Sequence, residues 1–94
     1  MYASVMLVKP ENLNADDIES RSQQQSERLK SLKGFVAAVT YTDEEKGELG
    51  MTTVWETKED YEAFRNAEAP ETKSAITNQG SRNLYTVRNF VTKD

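Results

Sequence analysis

The chain has 94 residues, 30% of them charged and 36% hydrophobic, with a formal net charge of −4. That suits one soluble domain spanning residues 1–94, and the absence of a basic run argues against nucleic-acid binding, which needs clustered Lys and Arg. There is no cysteine and no histidine, which excludes disulfides, thiolate metal sites and cysteine nucleophiles, and removes the commonest general base and the usual zinc and haem ligand.

The opening "MYASVMLVKP" is apolar but short. It lacks the basic region of a signal peptide, and no apolar run approaches the ~20 residues of a membrane span. A first strand over 2–8 is expected, stopped by Pro10, in a protein of the cytoplasm with no membrane partner. Asn14 stands at an N-cap position with Asp16 and Asp17 in the first turn, so a helix should run to about Leu32, with Gly34 as its stop. "FVAAVTYT" (35–42) is β-branched and aromatic, hence a second strand. The polar turn "DEEKGE" joins it to a third, "LGMTTVWE" (49–56), as an antiparallel hairpin. Thr57 with Asp60 has the spacing of a capping box and opens a helix over about 58–68, ahead of Pro70. "ETKSAITNQ" then offers a short further helix closed by Gly80, and "LYTVRNFVT" (84–92) a last strand.

The order β-α-β-β-α-(α)-β predicts an α+β fold of the ferredoxin-like, split βαβ kind: a four-stranded antiparallel sheet with helices on one face. A sheet with one wet face alternates apolar and polar residues. These strands do not. Met6 and Val8 oppose Val5 and Leu7; Phe35, Val39 and Tyr41 oppose Val36 and Ala38; Tyr85, Val87 and Val91 oppose Leu84 and Phe90. Helices cover only one face, so a second copy packed face to face about a two-fold axis is expected to cover the other. A domain this small, burying only about 60–65% of its unfolded surface, gains from such association.

"LKGFVAAVTY" and "TTVWETKEDYEAF" resemble the helix-end "pGF" and the W-x-[ST] strand-to-helix corner of the antibiotic-biosynthesis-monooxygenase-like (ABM) domains, in the dimeric α+β barrel superfamily. The resemblance covers essentially the whole chain. It implies a homodimer and a ligand cavity between helix and sheet. It leaves the activity open, because the family mixes oxygenases, haem-degrading enzymes and proteins with no known reaction.

Two catalytic patterns of the family can be compared with this sequence. The haem-degrading members use a first-strand Asn, a Trp within the second helix and a His on the next helix. Those positions hold Ser4, Phe64 and Ser74, and with no His anywhere the resemblance does not extend to haem chemistry. The cofactor-free, quinone-forming members have a W-E-S-x-x-x-Y pattern that resembles Trp55-Glu56-Thr57-x-x-x-Tyr61. Their Asn four residues before the Trp is Met51 here, and their helical Arg falls at Ala75. The resemblance thus names Trp55 and Tyr61 as catalytic candidates, Trp55 supplying a ring face and an N–H donor and Tyr61 a hydrogen bond to a developing oxyanion. It places Ser4 and Phe64 beside the substrate. The plainer reading of Trp55 and Tyr61 is a packed corner, since Tyr61 and Phe64 lie one helical turn apart as core residues do.

On the first helix the apolar stripe should run Ile18, Ser22, Gln25, Leu29, Leu32. Its middle is polar. Either the helix rides high off the sheet, or Ser22 and Gln25 line a polar cavity and contact substrate. Arg21 and Arg28 lie at its mouth or on the surface, and Arg88 interrupts an apolar strand. The acids Glu56, Glu59, Asp60 and Glu62 belong to a helix N-terminus, where acids are expected without a metal. The function expected is a cofactor-independent monooxygenase for a small aromatic or enolic compound, with no cofactor or metal. The alternative is a non-enzymatic ligand-binding or dimerisation module of the same fold.

Overall fold

The computed structural model describes residues 1–67 and 80–93. Its elements run β1 (Tyr2–Val8), α1 (Ala15–Ser31), β2 (Phe35–Asp43), β3 (Glu48–Trp55), α2 (Lys58–Asn66) and β4 (Gly80–Thr86). The strands form one antiparallel sheet in the order β2-β3-β1-β4. This is the expected ferredoxin-like arrangement, with the first and third strands at the centre and both helices over one face.

The caps behave as their sequences require. Asn14 accepts a hydrogen bond from the Asp17 amide at 3.1 Å, and Thr57 Oγ1 from the Asp60 amide at 3.1 Å. Each side chain thereby satisfies an amide that the first helical turn leaves without a partner. Gly34, at φ +77°, turns the chain from α1 into β2. A Cβ there would collide with the Asp60 side chain, and the Gly34 carbonyl accepts from Glu56 N at 2.8 Å. One left-handed glycine therefore stitches the end of α1 to the corner between β3 and α2.

Three details differ from the sequence reading. The last strand lies earlier, at Gly80–Thr86, and Val87 through Val91 follow it as extended or irregular chain. Gly80 is the first residue of β4, opposite Val8. A side chain there would run into the Leu7 carbonyl, so the glycine answers to a close strand approach. Second, Phe35 does not share a face with Val39 and Tyr41. A bulge between Phe35 and Ala37 shifts the register, so Phe35 pairs with Trp55 on the helix side. An extra residue in a strand inverts the facing of what precedes it. Third, Arg88 and Val87 lie beyond the strand; the Val87 amide donates to the Met1 carbonyl at 3.0 Å. The short helix expected after Pro70 falls outside the described residues.

The face away from the helices carries Val5 and Leu7 of β1, Val39 and Tyr41 of β2 and Tyr85 of β4. The Tyr41 ring lies over Gly50, and its hydroxyl bonds Thr52 Oγ1 at 2.8 Å. Val39 is 55% exposed and Tyr85 54%. Among the described residues no helix is long and apolar enough to cross a membrane.

Candidate functional site

The site begins with the alternation of two central strands. Ser4, Met6 and Val8 of β1 and Leu49, Met51, Thr53 and Trp55 of β3 point toward the helices, and Ser4 sits directly opposite Thr53. Both hydroxyl residues are buried, each under 5% exposed. A buried hydroxyl needs a partner, and each has an aromatic one. Ser4 Oγ donates to Tyr61 Oη at 3.3 Å. Thr53 Oγ1 accepts from Trp55 Nε1 at 2.9 Å.

Above this pair, α1 stands off the sheet. None of its residues is buried, because the middle of its inward stripe is Ser22 and Gln25, which gain little by close packing. A cavity of about 510 Å³ remains between α1 and the sheet. Ser4 and Thr53 form part of its floor with Met6, Leu49 and Met51; Phe64 of α2 lines it too; Ser22, Gln25, Arg21 and Arg28 contribute from α1 and Arg82 from β4. Both sequence alternatives for α1 hold together: the helix rides high, and its polar middle lines the space beneath.

Four of the six site candidates, Ser4, Ser22, Gln25 and Phe64, line this cavity. Trp55 and Tyr61 stand behind its wall. Trp55 is fully buried, edge-on to Phe35 with centroids 5.6 Å apart and tilted against Phe64 at 5.0 Å. Tyr61 is 3% exposed. They reach the cavity through intermediates: Trp55 through Thr53 and Phe64, Tyr61 through Ser4. Thr53 and Arg82 were missed in the sequence. The signal for Thr53 was present, since it lies two residues before Trp55 and so on the same face of β3. Arg82 was hidden because the strand that carries it was placed too late. Among the described residues no group of three or more Asp or Glu is placed to hold a metal ion.

The same architecture recurs in solved structures. MhuD, a haem-degrader from Mycobacterium tuberculosis with two haems bound in its active site, superposes with a TM-score of 0.70 at 14% identity, over 98% of this chain and 100% of that one. SnoaB, a cofactor-independent oxygenase from Streptomyces nogalater, gives 0.64 at 14%, over 96% and 95%. A candidate antibiotic biosynthesis monooxygenase from Chloroflexus aurantiacus gives 0.61 at 14%, over 97% and 96%. The chain has the ABM fold. No family model matches the sequence, and no curated protein does. At such identities the likeness of the ABM proteins is one of backbone alone, and what the cavity does must be argued from its own side chains.

Proposed function

We propose that this ABM-fold chain is a cofactor-independent oxygenase for a small phenol or enol, working as a homodimer joined through the open sheet face. The observation that carries the reading is the hydroxyl pair at the cavity floor, Ser4 and Thr53, each held by an aromatic behind it. A phenolic or enolic oxygen resting there meets two oriented hydroxyls, while Phe64, Met6 and Met51 supply the apolar walls for its ring. Tyr61 and Trp55 are positioning residues in this scheme. They fix the rotamers of Ser4 and Thr53; Thr53, whose Oγ1 accepts from Trp55, keeps its own proton for a developing oxyanion, while the Ser4 proton goes to Tyr61 and leaves its oxygen as an acceptor for a substrate hydroxyl.

The chemistry asks little else of the protein. An ionised, electron-rich ring gives an electron to O₂, and the radical pair joins to form a carbon–oxygen bond. Loss of water then leaves a quinone. Overall a phenol and O₂ give a quinone and water, the four electrons passing from ring to oxygen. One observation favours the second reading, a binding module without turnover. The described lining includes no Asp, Glu, Lys or Tyr to take the substrate's proton.

Oxygen uptake with a panel of hydroxylated aromatics separates the two. An oxygenase consumes one O₂ for each quinone formed; a binding module shifts its thermal melt with a ligand and consumes none. Within the oxygenase reading, Tyr61→Phe deletes one polar atom and keeps the ring. Stability should fall by about 1–3 kcal/mol, because the change leaves the buried Ser4 hydroxyl without its acceptor. Turnover should fall roughly tenfold, which is ~1.4 kcal/mol of barrier. A lower melting temperature with unchanged turnover would make the Ser4–Tyr61 bond purely structural.

Haem offers a contrasting test. MhuD is a haem-degrader, but this chain has no histidine to serve as an axial ligand. Titration with haem is expected to give no sharp axial-ligand spectrum, and added reductant under air no release of iron. A defined complex that is degraded would replace the phenol as substrate.

A further inference from the structure

We propose that the cavity takes an anionic ligand: a flat apolar body carrying a carboxylate, a sulfonate or a comparable oxyanion. The inference rests on reading the space between α1 and the sheet as the ligand site, and it names the class of molecule that fits. The described lining holds three arginines, Arg21, Arg28 and Arg82, and no carboxylate. The chain as a whole has the opposite balance, 16 acids against 12 bases.

The placement of these cations matters as much as their number. Arg21 and Arg28 lie seven residues apart on α1, two turns or about 10.5 Å along one stripe. Arg21 has a 3.9 Å ion pair with Asp17, but both side chains are mostly in water, where such a pair holds weakly. Arg82 comes from the sheet. It stands opposite Met6 in the β1–β4 register, is half-buried, and donates through Nη2 to Met6 Sδ at 3.8 Å. Helix and sheet thus each present guanidinium to the same space, one above and one below. Guanidinium is planar and bidentate, and suits a planar oxyanion better than a point charge would. The described lining also holds apolar side chains, among them Met51, Leu49 and Phe64. An amphiphile with a charged edge and a flat ring matches that combination.

The same cations bear on the missing base. Arginine remains protonated and accepts no proton, but positive charge beside an enol or phenol favours its ionised form. An acidic enol then ionises into solvent on binding, with no side-chain base.

Two dyes isolate the charge. 8-Anilinonaphthalene-1-sulfonate and the uncharged N-phenyl-1-naphthylamine share a ring system and differ by the sulfonate. The sulfonate is expected to bind the native protein about tenfold or more tightly than its neutral partner, the usual scale of a charge-assisted contact. Raising ionic strength from about 0.05 to about 0.5 M should weaken the anion alone. Arg28→Gln and Arg82→Gln should each loosen the sulfonate severalfold and leave the neutral dye unchanged. Arg28 is exposed on a helix, so its variant folds even if a change at Arg82 disturbs the strand. Equal binding of the two dyes, or indifference of the sulfonate to both substitutions, would overturn the anionic assignment and leave the ligand site standing. Binding of neither dye would remove the ligand site itself, and the assignment with it.

Discussion

Trp55→Ala is expected to cost about 3–5 kcal/mol, the range for truncating a buried tryptophan. Trp55 is the largest fully buried side chain among the described residues and sits where three elements meet. It contacts Phe35 at the start of β2 and Phe64 on α2, and it ends β3. Removing it leaves a void bounded by strand backbone on one side and a nine-residue helix on the other. The sheet does not collapse to fill such a space, so most of the cavity cost remains. It also leaves Thr53 Oγ1 without its donor, an added penalty of about 1–3 kcal/mol if no water replaces it. For a domain of this size each kcal/mol lowers the melting temperature by about 4–8 °C, so a drop on the order of 15 °C or more should be seen by calorimetry. Trp55→Phe should recover part of the loss by refilling the void, but not the hydrogen bond. A melting temperature within a few degrees of native for Trp55→Ala would mean that the corner is not the keystone of the core.

That corner was legible in the sequence, and the reason is local. Strand alternation through Thr53 and Trp55, a cap at Thr57 and a one-turn aromatic spacing from Tyr61 to Phe64 are short-range signals. The element order followed from the same signals, and with it the sheet. Three things were not legible. The bulge before Ala37 depends on how β2 pairs with β3, and pairing is a property of two strands. The place of β4 was set by its register with β1, while the apolar run "FVT" suggested a strand farther on. The division of labour at the cavity was hidden for a related reason. The sequence named the aromatics, but which side chain faces the space and which stands behind it is decided by the β1–β3 register. That register sets Ser4 against Thr53 and moves Trp55 and Tyr61 one residue back from the lining.

Val39→Glu is expected to separate the proposed dimer into folded monomers. The open face of the sheet presents Val39 and Tyr41 on the edge strand β2 and Tyr85 on the opposite edge β4, with Val5 and Leu7 of the central β1 between them, and Val39 and Tyr85 are more than half exposed. Exposed apolar side chains scattered singly need no explanation, but a contiguous set on a flat sheet face is a surface awaiting cover. Two-fold symmetry makes the substitution act twice, placing two carboxylates in one apolar contact. Burying either unpaired costs several kcal/mol, and a loss of even ~2.7 kcal/mol weakens association a hundredfold. Within one subunit the same change meets mostly solvent, so the monomer's own fold should persist. Val87, expected from the sequence to share a strand face with Tyr85, lies past the end of β4, and a charge there probes the terminal segment instead. Light scattering at micromolar concentration should give twice the chain mass of 10.7 kDa for the native protein and the single mass for Val39→Glu, with an unchanged far-ultraviolet spectrum. A native protein that runs as a monodisperse monomer would leave the open face to some other cover and would remove the dimer from the proposed function. A dimer indifferent to Val39→Glu would place the interface elsewhere on the chain, and the apolar strands would need a different account.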